Sequence, residues 1–259
     1  MTTPARPVAI VTGGRRGIGL GIARALAAEG FDIAITGIDE GDAATDAMRT
    51  ELAALGARAV YLKADLADLS DHAATVAAIE DALGAIGCLV NNAGVASTVR
   101  GDFLDLAPEH FDTIVATNLR GTVFFTQAVL RAMLQSRKAA GPRSIINITS
   151  VSADLTSPER LDYCMTKAGL AAFSQGLALR LAETGISVFE IRPGIIRSDM
   201  TAGVSAKYDA LIAGGLVPMK RWGEPDDIGA AAAALAIGKF AFATGSVINL
   251  DGGLSIGRL

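Results

Sequence analysis

The sequence predicts an α/β protein: a single-domain, doubly wound, seven-stranded parallel sheet with helices on both faces. Three observations predict it. Seven short apolar runs rich in Val and Ile alternate with stretches of helical length, the pattern that gives a parallel sheet. The first run feeds a glycine-rich turn and then an Ala- and Leu-rich helix. Later runs end in polar or glycine residues, as at Asn91-Asn92-Ala93-Gly94 and Arg192-Pro193-Gly194, on the side of the sheet where such folds bind ligands.

Taken in order, residues 8–11 read as a buried strand and residues 17–29 as the first helix, stopped by Gly30. Strands are expected at 31–36, 59–63, 88–90, 144–148, 186–191 and 246–250. Helices are expected at 42–55, 71–83, 108–135, 162–182, 205–213 and 225–237. Pro108 suits a first helical turn, whereas Asn118 is unfavourable in mid-helix and hints at a special task. Residues 137–142 read as a polar turn. Residues 197–224 hold several glycines and no strand, which suits a lid or substrate loop. The lone Trp222 is expected to anchor that loop. No linker or repeat divides the chain, so one domain over 1–259 is expected.

Composition narrows the function. The chain is 51% hydrophobic and 19% charged, which suits a large core and excludes a disordered chain. A net charge of −4 with no basic stripe argues against nucleic acid. No apolar run is long enough to span a membrane, and the first seven residues lack the pattern of a signal peptide. A cytoplasmic protein is expected. Cys88 and Cys164 are far apart, without C-x-x-C spacing or a neighbouring His, so no zinc site or disulfide framework is expected. His72 and His110 lie in charged helical surroundings and are read as solvated.

Two segments carry chemistry. Gly13-Gly14-Arg15-Arg16-Gly17-Ile18-Gly19 follows a strand and opens a helix, the context of a dinucleotide turn. Its glycines admit a pyrophosphate and the helix N-terminus faces the anion. Gly37 closes the second strand without a charge. Asp39, two residues on, lies within reach of a 2′-hydroxyl, whereas Arg15 and Arg16 suit a 2′-phosphate. The reading leans to NADP(H), with NAD(H) as the alternative. Asp65 and Leu66 end the third strand, where Asp65 either meets an adenine or caps the next helix. Asn91 either ties a turn or contacts the cofactor.

The second segment is Tyr163-x-x-x-Lys167. Residues four apart share a helix face, with Cβ atoms about 5–6 Å apart. An ammonium ~4 Å from a phenol, at an effective dielectric near 20, contributes about 4 kcal/mol and lowers its pKa by about 3. That would bring tyrosine into the range of a working acid or base.

Together with Asn118, Ser150 and Pro193-Gly194, these motifs resemble the short-chain dehydrogenase/reductases, in their single-domain branch, over nearly the whole length. The C-terminal half looks most like the 3-oxoacyl-[acyl-carrier-protein] reductases, through Asp199-Met200-Thr201, Arg221-Trp222-Gly223-Glu224-Pro225 and Asp251-Gly252-Gly253. The resemblance implies a Rossmann-type fold, a homotetramer and catalysis by Asn118, Ser150, Tyr163 and Lys167. Ser150 is preferred to Ser152 because it lies 13 residues before Tyr163, as the family's serine does. Cofactor contacts are implied for Gly13, Arg15, Arg16, Gly17, Ile18, Gly19, Asp65, Leu66, Asn92, Gly94, Tyr163, Lys167, Pro193 and Ile196, with no metal. The chain departs from many relatives at Gly87, where they carry an aspartate.

The expected activity is hydride transfer between a nicotinamide cofactor and a ketone or secondary alcohol. The expected substrate is a small molecule or an acyl thioester. Lys167 would lower the tyrosine's pKa, and Asn118 would hold a water linking Lys167 to solvent. A sugar or polyol dehydrogenase is the alternative, and a non-catalytic NADPH sensor is the alternative from another class. A sensor leaves Ser150 and Tyr163 unexplained.

Overall fold

The computed structural model describes residues 6–136, 139–203 and 205–258. Residues 1–5 and the first two positions of the expected 137–142 turn lie outside them. Seven strands, β1 (Val8–Thr12), β2 (Asp32–Gly37), β3 (Ala59–Lys63), β4 (Ile86–Asn91), β5 (Arg143–Ile148), β6 (Ile186–Pro193) and β7 (Val247–Leu250), form one parallel sheet in the order β3-β2-β1-β4-β5-β6-β7. All seven expected strands are present, with ends moved by one or two residues.

The helices are α1 (Gly17–Ala28), α2 (Ala43–Ala54), α3 (His72–Leu83), α4 (Pro108–Val115), α5 (Thr122–Gln135), α6 (Leu161–Leu181), α7 (Asp199–Ala202), α8 (Ser205–Ala213) and α9 (Pro225–Ala236). They cover both faces of the sheet, which is why β1 and β4 are apolar runs buried at every position rather than alternating ones. One core lies between the sheet and α1 and α9, built on Ile22, Leu26, Phe189 and Ile228. The other lies against α3, α5 and α6, built on Ile79, Phe125, Val129 and Leu181. From β1, the order runs through β2 in one direction and β4 in the other. That reversal opens a crevice above the strands' carboxyl ends.

Two helices of the first layer meet through glycines. A Cβ on Gly229 of α9 would strike the Gly21 carbonyl oxygen of α1 and stand 3.3 Å from the Ala25 Cβ. The crossing is close because neither helix carries a side chain there.

Three features differ from the sequence reading. The continuous helix expected over 108–135 is interrupted by a π turn at Ala116–Gly121, with Asn118 at its centre. Residues 197–224 hold α7 as well as the expected α8. His72 is not solvated: it is 4% exposed, its Nε2 lies 3.2 Å from the Leu66 carbonyl oxygen, and its ring meets Phe125 edge-on at 5.3 Å. Burial lowers its pKa. Trp222 anchors the segment 197–224. It packs with Ile212 and Val217, meets Tyr208 edge-on at 5.9 Å, and donates from Nε1 to Asp209 at 2.7 Å.

Candidate active site

Above the carboxyl ends of β1, β2, β4, β5 and β6 lies a cleft of about 740 Å³, within the range of ligand sites. Every expected cofactor contact lines it: the glycine turn with Arg15, Arg16 and Ile18, then Asp65, Leu66, Asn92, Gly94, Pro193 and Ile196. Ser150, Tyr163 and Lys167 line it too. Asn118 does not reach the wall and is fully buried.

The glycine turn has room for backbone only. Gly13 and Gly17 adopt positive φ, at 63° and 54°, which favours glycine. A Cβ on Gly19 would collide with the Gly13 carbonyl and stand 2.6 Å from Asn92 Nδ2. Helix α1 starts at Gly17 with no capping side chain, so its first N–H groups face the cleft free to bind an anion. Asn92 fixes the turn by donating from Nδ2 to the Thr12 carbonyl at 2.9 Å and the Gly13 carbonyl at 3.2 Å. The cradle fits a dinucleotide pyrophosphate.

The charge beside the turn is largely spent. Arg15 reaches Asp39 at 2.6 Å and Asp42 at 3.2 Å, and Arg16 reaches Asp199 at 3.3 Å. Lys63 pairs with Glu40 at 2.5 Å. Asp65 is exposed and accepts from its own turn, the Ala67 N–H, at 2.9 Å. It does not cap α3. Asn91 is buried and turns inward. Its Nδ2 donates to Thr126 Oγ1 and Asn147 Oδ1, both at 2.8 Å, so it ties β4 to β5 and α5 rather than contacting a ligand.

Tyr163 and Lys167 lie one turn apart at the start of α6. Lys167 is 5% exposed, and its Nζ donates to the Ile148 carbonyl at 3.2 Å. Burial pushes its pKa down to about 8, against the pull of the Glu190 carboxylate. The ammonium stands 5.6 Å from the centre of the Tyr163 ring. Burial raises the Tyr163 pKa, opposed by a hydrogen bond from Ser150 and by the charges of Arg160 and Arg100. This corrects the sequence reading. Desolvation outweighs the expected lowering, and Arg160 and Arg100 on the cleft wall oppose it.

Ser150 ends the segment after β5, where its Oγ accepts from the Ser152 N–H at 3.0 Å. That bond points it along the cleft, while Ser152 itself is buried. Asn118 spends most of its side chain on Val95, with a longer bond from Nδ2 to Thr166 Oγ1 at 3.5 Å. Its Nδ2 donates to the Val95 carbonyl at 2.9 Å and its Oδ1 accepts from the Val95 N–H at 2.7 Å. The π turn supplies the extra residue that lets the amide face the chain after β4. No motif singled out the cleft residues Arg100, Leu155, Tyr208 and Leu216, but they fall in loop 95–106, residues 152–162 and loop 197–220, the segments from which the sequence would build a pocket; only Leu254 of the C-terminal tail lies outside those segments.

The family model described as enoyl-(acyl carrier protein) reductase matches residues 13–255. A 3-oxoacyl-[acyl-carrier-protein] reductase of Staphylococcus epidermidis is 34% identical over 247 residues, 95% of this chain and 98% of that protein. The chain belongs to the short-chain dehydrogenase/reductase family. Like other short-chain dehydrogenase/reductases, it is an oxidoreductase that moves a hydride between a nicotinamide cofactor and a ketone or secondary alcohol. An L-rhamnose 1-dehydrogenase (NAD(P)(+)) of Azotobacter vinelandii is 36% identical over 252 residues, 95% of this chain and 96% of that protein. Among solved structures of the family, a 3-oxoacyl-[acyl-carrier protein] reductase from Brucella melitensis in complex with NAD superposes with a TM-score of 0.96. It is 64% identical, covering 99% of this chain and all of that one.

Proposed function

We propose that this enzyme is a 3-oxoacyl-[acyl-carrier-protein] reductase-like ketone reductase that uses NAD(H). The observation that carries the reaction is the convergence of Ser150, Tyr163 and Lys167 on one cleft with the glycine turn. The glycine turn and the N-terminus of α1 would hold the cofactor's pyrophosphate, with Asn92 bracing the turn, and Lys167 would bond to the nicotinamide ribose. When bound, the cofactor supplies the hydride. Ser150 and Tyr163 donate to the substrate's carbonyl oxygen and stabilise the negative charge that develops there. As the carbonyl carbon gains the hydride, its π pair moves to oxygen, which takes the Tyr163 proton.

Burial supports this direction of transfer, because a phenol with a raised pKa stays protonated at neutral pH and is available as an acid. Asn118 is a positioning residue that fixes Val95 and, with it, the wall of the cleft. A water beyond its backbone relays the proton to Lys167. Residues 197–224 act as a lid within one domain, and the protein works in the cytoplasm as a homotetramer.

The choice of NAD(H) rests on charge. Asp39, Glu40 and Asp42 face Arg15 and Lys63 beside β2, leaving one unbalanced carboxylate. A 2′-phosphate would have to displace Asp39 from Arg15 and would meet like charge.

Steady-state assays of Tyr163→Phe on a 3-oxoacyl thioester test the reaction. Turnover should fall at least about 100-fold, while cofactor affinity, read by nucleotide fluorescence, changes little. Turnover by the variant at the wild-type rate removes Tyr163 as the acid. The same assay with both nucleotides should favour NADH, and a preference for NADPH counts against the charge argument.

A further inference from the structure

The wall of the cleft around Tyr163 carries two guanidinium groups that pair with no carboxylate among the described residues. Arg160 closes the short turn Pro158–Arg160 just before α6, and its guanidinium stands 5.4 Å from the centre of the Tyr163 ring. Its side chain makes one hydrogen bond, to Ser152 Oγ at 3.5 Å, the outer limit of such a contact. Arg100 faces the same cleft from the loop after β4.

Their backbones are fastened together. The Gly101 N–H donates to the Glu159 carbonyl at 3.3 Å. The same loop is pinned to α6 by Ser97 Oγ, which donates to the buried Asp162 Oδ1 at 2.7 Å. Among the described residues neither arginine has an ion-pair partner, whereas Arg15, Arg16 and Arg192 all do. Asp154 follows the turn after Ser150 and is drawn off by the buried Arg192. Asp199, the acid on the lid side of the cleft, is paired with Arg16.

Arg160 and Arg100 stand on adjoining loops with no ion pair of their own among the described residues, so an anion entering the cleft meets two guanidinium groups free to bind it. The planar guanidinium fork matches a carboxylate or a phosphate. Leu155, Met200, Leu216 and Leu254 make much of the remaining lining apolar. A ligand anion would also screen Tyr163 from the arginines that oppose its raised pKa, which keeps the phenol protonated for donation.

We propose that the ketone reduced here carries an anionic group, a carboxylate or a phosphate, which Arg160 and Arg100 hold beside Tyr163 while a short apolar portion lies against the leucines. The inference rests on the reading of Tyr163 as the proton donor and names the substrate class of that same site.

The test compares kcat/KM for matched pairs: a 3-oxocarboxylate against its methyl ester, and a 2-oxoalkyl phosphate against the uncharged alcohol. The anionic member should be preferred by about tenfold to a hundredfold, the worth of hydrogen bonds to a charged group, and whichever pair has the larger ratio identifies the anion. Arg160→Gln and Arg100→Gln should each bring that ratio towards one. A ratio near one in the wild type, or a preference that survives both substitutions, overturns the proposal even if ketones are reduced well.

Calorimetric titration with malonate, with NAD⁺ saturating the glycine turn, reads the subsite without turnover. Binding by the wild type and its loss in the folded double variant support the anion site. Absent binding, or equal binding by both, overturns it. Malonate binding without turnover of any ketone would leave the anion site standing and count against the reaction instead.

Discussion

At the residue scale, burial decides the chemistry more than spacing does. Lys167 keeps an ammonium inside the protein with one carbonyl and a distant carboxylate for company. Its ordinary pKa of 10.5 falls to about 8, which corresponds to a penalty of roughly 3 kcal/mol when it is charged. The depressed value means that the unfolded chain binds the proton more tightly. The penalty is therefore complete below about pH 8 and disappears as pH rises to 10.5. Lys167→Met should raise the melting temperature of the cofactor-free protein at pH 7, with the gain shrinking between pH 8 and 10.5 in thermal unfolding followed against pH. A lower melting temperature for the variant at pH 7 would remove desolvation as the dominant effect. The sequence revealed that Tyr163 and Lys167 share a face because helical spacing is local. It did not reveal the sign of the Tyr163 shift, because desolvation depends on what the rest of the chain places over the ring. Arg160 was legible as part of a polar rim with Ser152, Asp154 and Glu159, and Arg100 only as a member of the pocket loop 95–106; their closeness was not, because a backbone bond between distant loops brings them together. His72 misled in the opposite direction, since the acids near it in sequence did not keep its ring out of the core.

At the scale of elements, the sequence was more informative. Short apolar runs marked all seven strands; the central ones are apolar almost throughout because they are buried on both faces, whereas the edge strands β3 and β7 are only partly covered. Helix ends were legible where a proline or glycine marks them and blurred elsewhere. The π turn was announced only by an asparagine out of place. The crossing of α1 and α9 went unnoticed, because a glycine inside a helix does not say what approaches it. Gly229→Ala should cost about 1–3 kcal/mol through overpacking, a fall of several degrees in melting temperature. Helix α1 also presents Gly17 and Gly19 to the cleft, so the same change should weaken nucleotide binding measured by fluorescence titration. An unchanged melting temperature would mean that the two helices separate freely.

For the whole molecule, what remains is the surface that other copies would cover. Large apolar side chains stand out where the end of α6 adjoins the outer edge of β7. Leu179 is 81% exposed, Val247 is 38% exposed and Phe242 is fully exposed. A Cβ on Gly245 would touch Ala178 at 3.5 Å, so these side chains share one region. Strand β7 ends the sheet, and an uncovered edge flanked by apolar residues invites pairing. Phe242→Asp should convert the proposed homotetramer to a smaller species in size-exclusion chromatography with light scattering, without loss of helical circular dichroism. A variant that elutes as the wild type does would place the contact elsewhere.

The inserted residue at Ala116–Gly121 gives that stretch a fixed length. Deleting one residue there would return the chain to 3.6 residues per turn and rotate everything from Thr122 onward by about 100° relative to α4. Phe125 and Val129 would swing away from the sheet, and the Asn118 amide would turn from Val95. A surface helix tolerates such a change as a local defect. Here the count of residues sets where Asn118 and the core side chains of α5 stand, and it holds only as a whole number.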